Sequence, residues 1–166
     1  MRQRGCCSRR SSRSLRETQS MTQVPTLAFV EDDSALQKVV LEGVRRFNRT
    51  LFANHPPGQD LAIEIRDPER NEPVGGLCGR TAGGWLAIEL IFVPESFRGM
   101  GLATQLIAMA EEEAKRRDYH SAWLDTMNPQ ALTLYQRLGY EIFGELKDYP
   151  VGSSRFFLQK KLAPKI

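Results

Sequence analysis

The sequence predicts an α/β domain, and three observations predict it. Residues 61–93 carry apolar runs separated by polar and glycine-rich turns, the pattern of an antiparallel meander. The last of these runs passes through a glycine-rich turn into a segment with helical apolar spacing. Further on, an apolar run, a short helical stretch and two strand-like runs continue the alternation of strands and helices.

The chain is organised around Glu89 to Leu106. Leu86 to Val93, with Ile88, Ile91, Phe92 and Val93, reads as a buried strand. Pro94 ends it, having no N–H to give to a ladder. After Arg98-Gly99-Met100-Gly101, the residues Leu102, Leu106, Ile107, Ala110 and Ala114 mark one helix face. Glycines let a backbone come close to a ligand, and the first N–H groups of a helix have no partner inside it. With the positive end of the helix dipole and the charge of Arg98, the turn suits a phosphate. The plainer alternative is that Gly99 and Gly101 only make the turn tight. A dinucleotide-binding turn is a third reading, but it wants a glycine where Thr104 stands, and no repeated strand–helix–strand half surrounds it.

Charge is unevenly spread. The net charge is +3, yet residues 1–20 alone contain six arginines and one acid, Glu17. The remainder is mildly acidic and has no basic stripe, so no nucleic-acid partner is expected. No apolar run has the length of a membrane span, so no membrane partner is expected either. Of the cysteines, Cys6 and Cys7 lie in the basic tail and Cys78 in the domain, which argues against a disulfide framework or a zinc site and fits a cytoplasmic location. Residues 1–20 hold too little apolar surface to order themselves and are expected to be a disordered tail, or an extension upstream of a start at Met21; a transit peptide is less favoured for want of an apolar face. Residues 21–166 form the expected domain.

Along the chain, Thr26 to Val30 reads as a first strand. Glu31-Asp32-Asp33-Ser34 then offers caps to a helix over Leu36, Val39, Val40, Val44 and Phe47, extending toward Phe52. Asn54-His55-Pro56-Pro57-Gly58 breaks it, and His55 there reads as a solvated loop residue. Leu61–Arg66 and Val74–Arg80 are strands, joined by a polar turn. Glu111-Glu112-Glu113 with Lys115-Arg116-Arg117 reads as the solvated face of the long helix. Ser121–Thr126 is a buried strand. A helix from Asn128 over Ala131, Leu134, Tyr135 and Leu138 stops at Gly139, and strands at Tyr140–Leu146 and Arg155–Leu162 close the domain.

Two motifs now stand in order: Arg98-x-x-Gly101-x-Ala103 after an apolar strand, and Asn128-x-x-Ala131-x-x-x-Tyr135 followed by Gly139-Tyr140. The pair resembles the two signatures of the GNAT N-acetyltransferase superfamily, and the resemblance spans nearly all of Thr26 to Leu162. It implies a mixed, mostly antiparallel twisted sheet of six to seven strands flanked by helices on both faces. It also implies acetyl-CoA as co-substrate, with no metal. Its pyrophosphate would be held by Arg98, Gly99, Met100, Gly101, Leu102, Ala103 and Thr104, and its pantetheine region would meet Asn128. Backbone N–H groups of Ile91, Phe92 and Val93 would polarise the thioester carbonyl, and Tyr135 would be the general acid. From the residues alone, Asn128 is equally a helix cap and Tyr135 equally a core residue.

Amine acetylation also needs a neutral amine. Glu89 is the only charged residue between Trp85 and Glu95, and burial in an apolar strand would raise its pKa toward that of a base; an ion pair or a rim position is the competing reading. Asp125 is the reserve base, and His120 reads as structural. The family varies its acceptor site through the first helices and the last interstrand loop, which points to Phe47, Asn48, Trp85, Asp125 and Tyr149. Asp125 and Glu89 would favour a cationic amine. The expected acceptor is a small-molecule primary amine. A protein N-terminus or lysine is the alternative, and a CoA-binding module without turnover is a further one. Many relatives pair through sheet edges, so a homodimer is also among the expectations. Because residues 1–20 carry no core-forming pattern, a chain beginning at Met21 should melt and bind acetyl-CoA like the full chain. A clear fall in melting temperature or affinity on truncation would reject this.

Overall fold

A computed structural model describes residues 25–51 and 57–162. It divides into two units, Met1–Arg49 and Thr50–Ile166. The expectations for residues 1–20, Phe52 and His55 fall outside the described residues.

In the first unit, residues 26–30 are not a strand. Leu27 and Phe29 alternate as a strand would, but alternation makes a strand only where a neighbour pairs with the backbone, and none is paired here among the described residues. Helix α1, Ser34–Leu51, starts beyond two acids. Asp32 accepts from the N–H of Ser34 at 2.9 Å, and this bond holds its carboxyl below the usual range. Asp33 accepts from the Gln37 side chain at 2.7 Å. Phe47 and Asn48 lie near the end of this helix.

The second unit is a six-stranded sheet in the order β1-β2-β3-β4-β6-β5. The strands are β1 Gln59–Arg66, β2 Pro73–Ala82, β3 Trp85–Phe92, β4 Ser121–Thr126, β5 Glu141–Lys147 and β6 Ser154–Lys161. Only β3 and β4 run parallel, and helix α2, Leu102–Arg116, supplies the long crossover that a parallel pair needs. Helix α3, Pro129–Arg137, follows β4 and packs on it. The strands agree with the sequence pattern because each buried run alternates or is continuous as its face demands.

The core lies between one face of the sheet and helices α2 and α3. Leu61, Leu77, Leu86, Ile88, Leu124 and Leu158 meet Leu106, Ile107, Ala110 and Ala114 of α2 and Tyr135 of α3. Each leucine and isoleucine among them contributes roughly 1.5–3 kcal/mol by leaving water. The outer acids of α2 do form the expected solvated pairs. Glu112 meets Lys115, and Glu113 meets Arg116 and Arg117, with Arg116 first in holding the Glu113 carboxyl down at about 2.

Glu111 departs from that expectation. It is buried on the core side of α2, where both oxygens accept from Lys160 Nζ at 2.7 and 2.9 Å and one accepts from the Tyr140 hydroxyl at 3.0 Å. The Lys160 ammonium also lies 5.4 Å from the Tyr140 ring centroid. Helical spacing puts Glu111, four residues after Ile107 and three before Ala114, on the apolar face of α2, a signal that grouping the three glutamates as one solvated face overlooks. Lys160→Met should destabilise the fold by about 3 kcal/mol, since it strands a buried carboxylate. Adding Glu111→Gln, which keeps an acceptor for Tyr140, should recover most of that. Urea denaturation showing less than about 0.5 kcal/mol loss in the single variant would deny the pair a structural role.

Candidate active site

The parallel pairing of β3 and β4 is short. It joins Trp85–Ile88 to Ser121–Leu124 and stops. Both strands continue, each held by its outer neighbour: β3 runs on to Phe92 opposite Gly76, and β4 to Thr126 opposite Phe156. Between them the sheet therefore opens, with Glu89–Phe92 on one side and Asp125–Thr126 on the other. The cause is a bulge. Cys78 pairs with Leu90 and Gly79 with Ile88, so Glu89 is an extra residue that bends β3 away from β4. Opposite it, a Cβ on Gly79 would come within 2.3 Å of the Ala87 carbonyl oxygen, a contact only glycine permits.

For Glu89 the apolar run left two readings open, a desolvated carboxylate and an ion pair or rim position, and the residue is exposed at the bulge, which agrees with a rim position.

Beyond β3, Pro94 opens a single turn of 3-10 helix at Glu95–Phe97. Arg98 then folds back, its Nε donating to the Val93 carbonyl at 3.3 Å. Gly101 caps α2 in the left-handed region at φ 77°, where other residues are strained, and no side chain caps the helix there. The N–H of Gln105 makes the first helical bond, to the Gly101 carbonyl at 3.1 Å. The N–H groups of Leu102, Ala103 and Thr104 precede it and have no partner within the helix. No acid lies in the first turn of α2. The turn is a cradle of backbone donors at a positive helix end, and an anion fits it.

Asn128 caps α3. Its Oδ1 accepts from the N–H groups of Gln130 at 2.8 Å and Ala131 at 3.4 Å, while its own N–H donates to Thr126 Oγ1 at 3.0 Å. The cap role read from the sequence is thus realised, and it leaves the amide nitrogen outside the cap. Tyr135, one of the core residues, is 8% exposed. Burial first, and then the charge of Asp125, raise its phenol above the usual value, so it keeps its proton.

Asp125 is the first residue of β4 beyond the last pair with β3. Its carboxylate is ion-paired with Arg155 Nε, so its charge is already answered by a cation. The Arg155 guanidinium lies 5.6 Å from the Tyr149 ring centroid and 5.7 Å from that of Phe157. Asp125 and Tyr149 are thus brought together by Arg155, a residue that sequence reading passed over as part of a plain strand. The signal available was a charge directly before the apolar run Phe156-Phe157-Leu158. Trp85 is not brought to the opening. It begins β3 at the far end, roughly 13 Å of strand from Glu89. There its ring meets His120 edge-on at 6.5 Å and the Lys161 ammonium at 5.4 Å. His120 belongs to that end as well, its Nδ1 2.8 Å from Ser121 Oγ.

Residues 27–140 match the family model for the acetyltransferase (GNAT) family. The chain belongs to the GNAT acetyltransferase family. It is 42% identical to an acetyltransferase of Agrobacterium fabrum over 78% of this chain and 93% of that one. It is 38% identical to a blasticidin-S acetyltransferase of Streptomyces morookaense over 86% of this chain and all of that one. A crystal structure of a candidate acetyltransferase from Agrobacterium tumefaciens shares 40% identity and superposes with TM-score 0.75, covering 84% of this chain and 99% of that one. This GNAT protein is therefore an acetyltransferase with the family's fold, and the family uses acetyl-CoA.

The turn before α2 fits the phosphate end of that co-substrate, which makes Gly101 the position to perturb. Aspartate tolerates the left-handed region better than most residues, so Gly101→Asp should fold while placing a negative charge in the cradle. A like-charge contact worth about 1.4 kcal/mol or more should weaken acetyl-CoA binding at least about tenfold. Calorimetry finding unchanged affinity in a folded variant would move the co-substrate elsewhere.

Proposed function

We propose that this acetyltransferase moves the acetyl group from acetyl-CoA directly to a primary amine of a small molecule. The observation that carries the reading is the opening between β3 and β4, which has the unpaired backbone of β3 on one side and lies close to the proton-bearing Tyr135. The similarity to a blasticidin-S acetyltransferase along that protein's whole length supports a small-molecule acceptor.

The thioester supplies an activated acetyl carbon and a thiolate leaving group. Around it, Arg98, Gly99, Met100, Gly101, Leu102, Ala103 and Thr104 bind the pyrophosphate, chiefly through backbone N–H groups. Asn128 turns its amide nitrogen to the pantetheine arm while its oxygen stays in the cap. Among the N–H groups of Ile91, Phe92 and Val93, at the end of β3 and just beyond it, those turned away from β2 donate to the carbonyl oxygen as negative charge gathers there. Tyr135 gives its proton to the departing sulfur, a role that its raised phenol pKa suits. Glu89, at the start of the opening and exposed, takes the proton from the amine directly or through water.

Tyr135→Phe separates packing from chemistry, because it keeps the ring beside Tyr140 and removes one hydroxyl. Turnover should fall roughly 10- to 100-fold while acetyl-CoA affinity holds. The phenol is raised above 10, so the limb of the rate profile that belongs to it should lie above about pH 10 and vanish in the variant. Wild-type turnover by Tyr135→Phe from about pH 6 to about pH 10 would make the residue packing alone. The acceptor is tested by release of CoA thiol with polyamines, amino acids, aminoglycosides and peptides. Release with peptides alone would overturn the small-molecule reading.

A further inference from the structure

The proposed acceptor side of the opening is built around a cation. Leu124 and Leu158 pair across β4 and β6 and face the core beneath α2 and α3. Asp125 and Phe157, the next pair toward the end of β4, face the opposite side, and Arg155 shares that side with them. The pyrophosphate turn belongs to α2, on the core side. A second substrate reaching the opening from the other side therefore meets Asp125, Arg155, Phe157 and Tyr149.

Arg155 is preorganised there. Asp125 holds Nε, and the Tyr149 and Phe157 rings lie near the guanidinium, fixing its plane. About a third of the side chain, 32%, stays open to solvent. Asp125 holds Nε and the Tyr149 hydroxyl is a second hydrogen-bonding partner of the guanidinium, so the Nη donors those two leave over are the part open to a ligand, and N–H donors on a planar cation match a carboxylate. The same ion pair takes Asp125 out of competition for an ammonium group. Tyr135 lies near enough to Asp125 to feel its charge, so this cluster adjoins the proposed proton donor.

Resting on the acetyl-transfer reading above, we propose that the acceptor amine also carries a carboxylate, and that the Nη edge of Arg155 binds it. The amine is thereby aimed into the opening, and the acceptor class is amino acids rather than polyamines. Asp125 acts as the positioning residue for Arg155.

The test compares matched acceptors: alanine, β-alanine and 4-aminobutyrate, each against its carboxamide, with polyamines alongside, all read by CoA thiol release. The wild type should prefer at least one acid over its amide by about tenfold or more in kcat/KM, the scale of a charge-assisted bidentate contact. Arg155→Gln should collapse that ratio toward one, and Arg155→Lys, which keeps the charge and loses the fork, should leave it between the two. If the glutamine variant fails to fold, because it leaves Asp125 unpaired, the lysine variant alone carries the comparison. Polyamine turnover without acid preference, or an acid preference that survives in the folded Arg155 variants, overturns this inference and leaves acetyl transfer standing. No thiol release with any amine overturns both.

Discussion

The structure turns on a pairing that ends early. Had β3 and β4 stayed in register to Phe92 and Thr126, their backbone groups would satisfy each other and the sheet would have no opening. One extra residue, Glu89, ends the pairing after Ile88 and Leu124. The released backbone is stable because each strand keeps its outer neighbour. Proposed acetyl transfer needs the same feature, since donors for a developing negative charge must be fixed before the reaction rather than recruited during it.

Two ion pairs tie β6 to its neighbours. Glu111 ties α2 to β6 through Lys160 and to the residue before β5 through Tyr140. Asp125 ties the free end of β4 to the start of β6 through Arg155. Both bridges span elements far apart in sequence, so they brace the sheet on the two sides of α3 and β4. They differ in exposure. The Glu111 side chain is 9% exposed and its pair reads as structural, whereas Arg155 keeps about a third of its side chain open to solvent.

Much of this was legible from local pattern. The six strands of the second unit, the turn before α2 and the cap of α3 follow from apolar period, glycine placement and an Asn-Pro start, all of which act within a few residues. The reading failed where a residue's fate hangs on a distant partner. Residues 26–30 have a strand's composition and no ladder. Glu89 sits in an apolar run and yet is exposed, at the bulge where β3 parts from β4. Trp85 was grouped with acceptor residues and lies at the wrong end of its strand.

By itself, then, the sequence determined the family through its two motifs, the order of strands and helices in the second unit, and the glycine turn that opens α2. Those depend on backbone preferences and periodicities written into neighbouring residues. Tertiary structure alone decided which side chains share a site. It made Glu111 a buried anchor rather than one of three surface acids, spent the charge of Asp125 on Arg155, and set Arg155 beside Tyr149. The physical reason is common to all three. A charged side chain reveals its role only when its partner and its distance from water are known, and both are set by strands that meet from opposite ends of the chain.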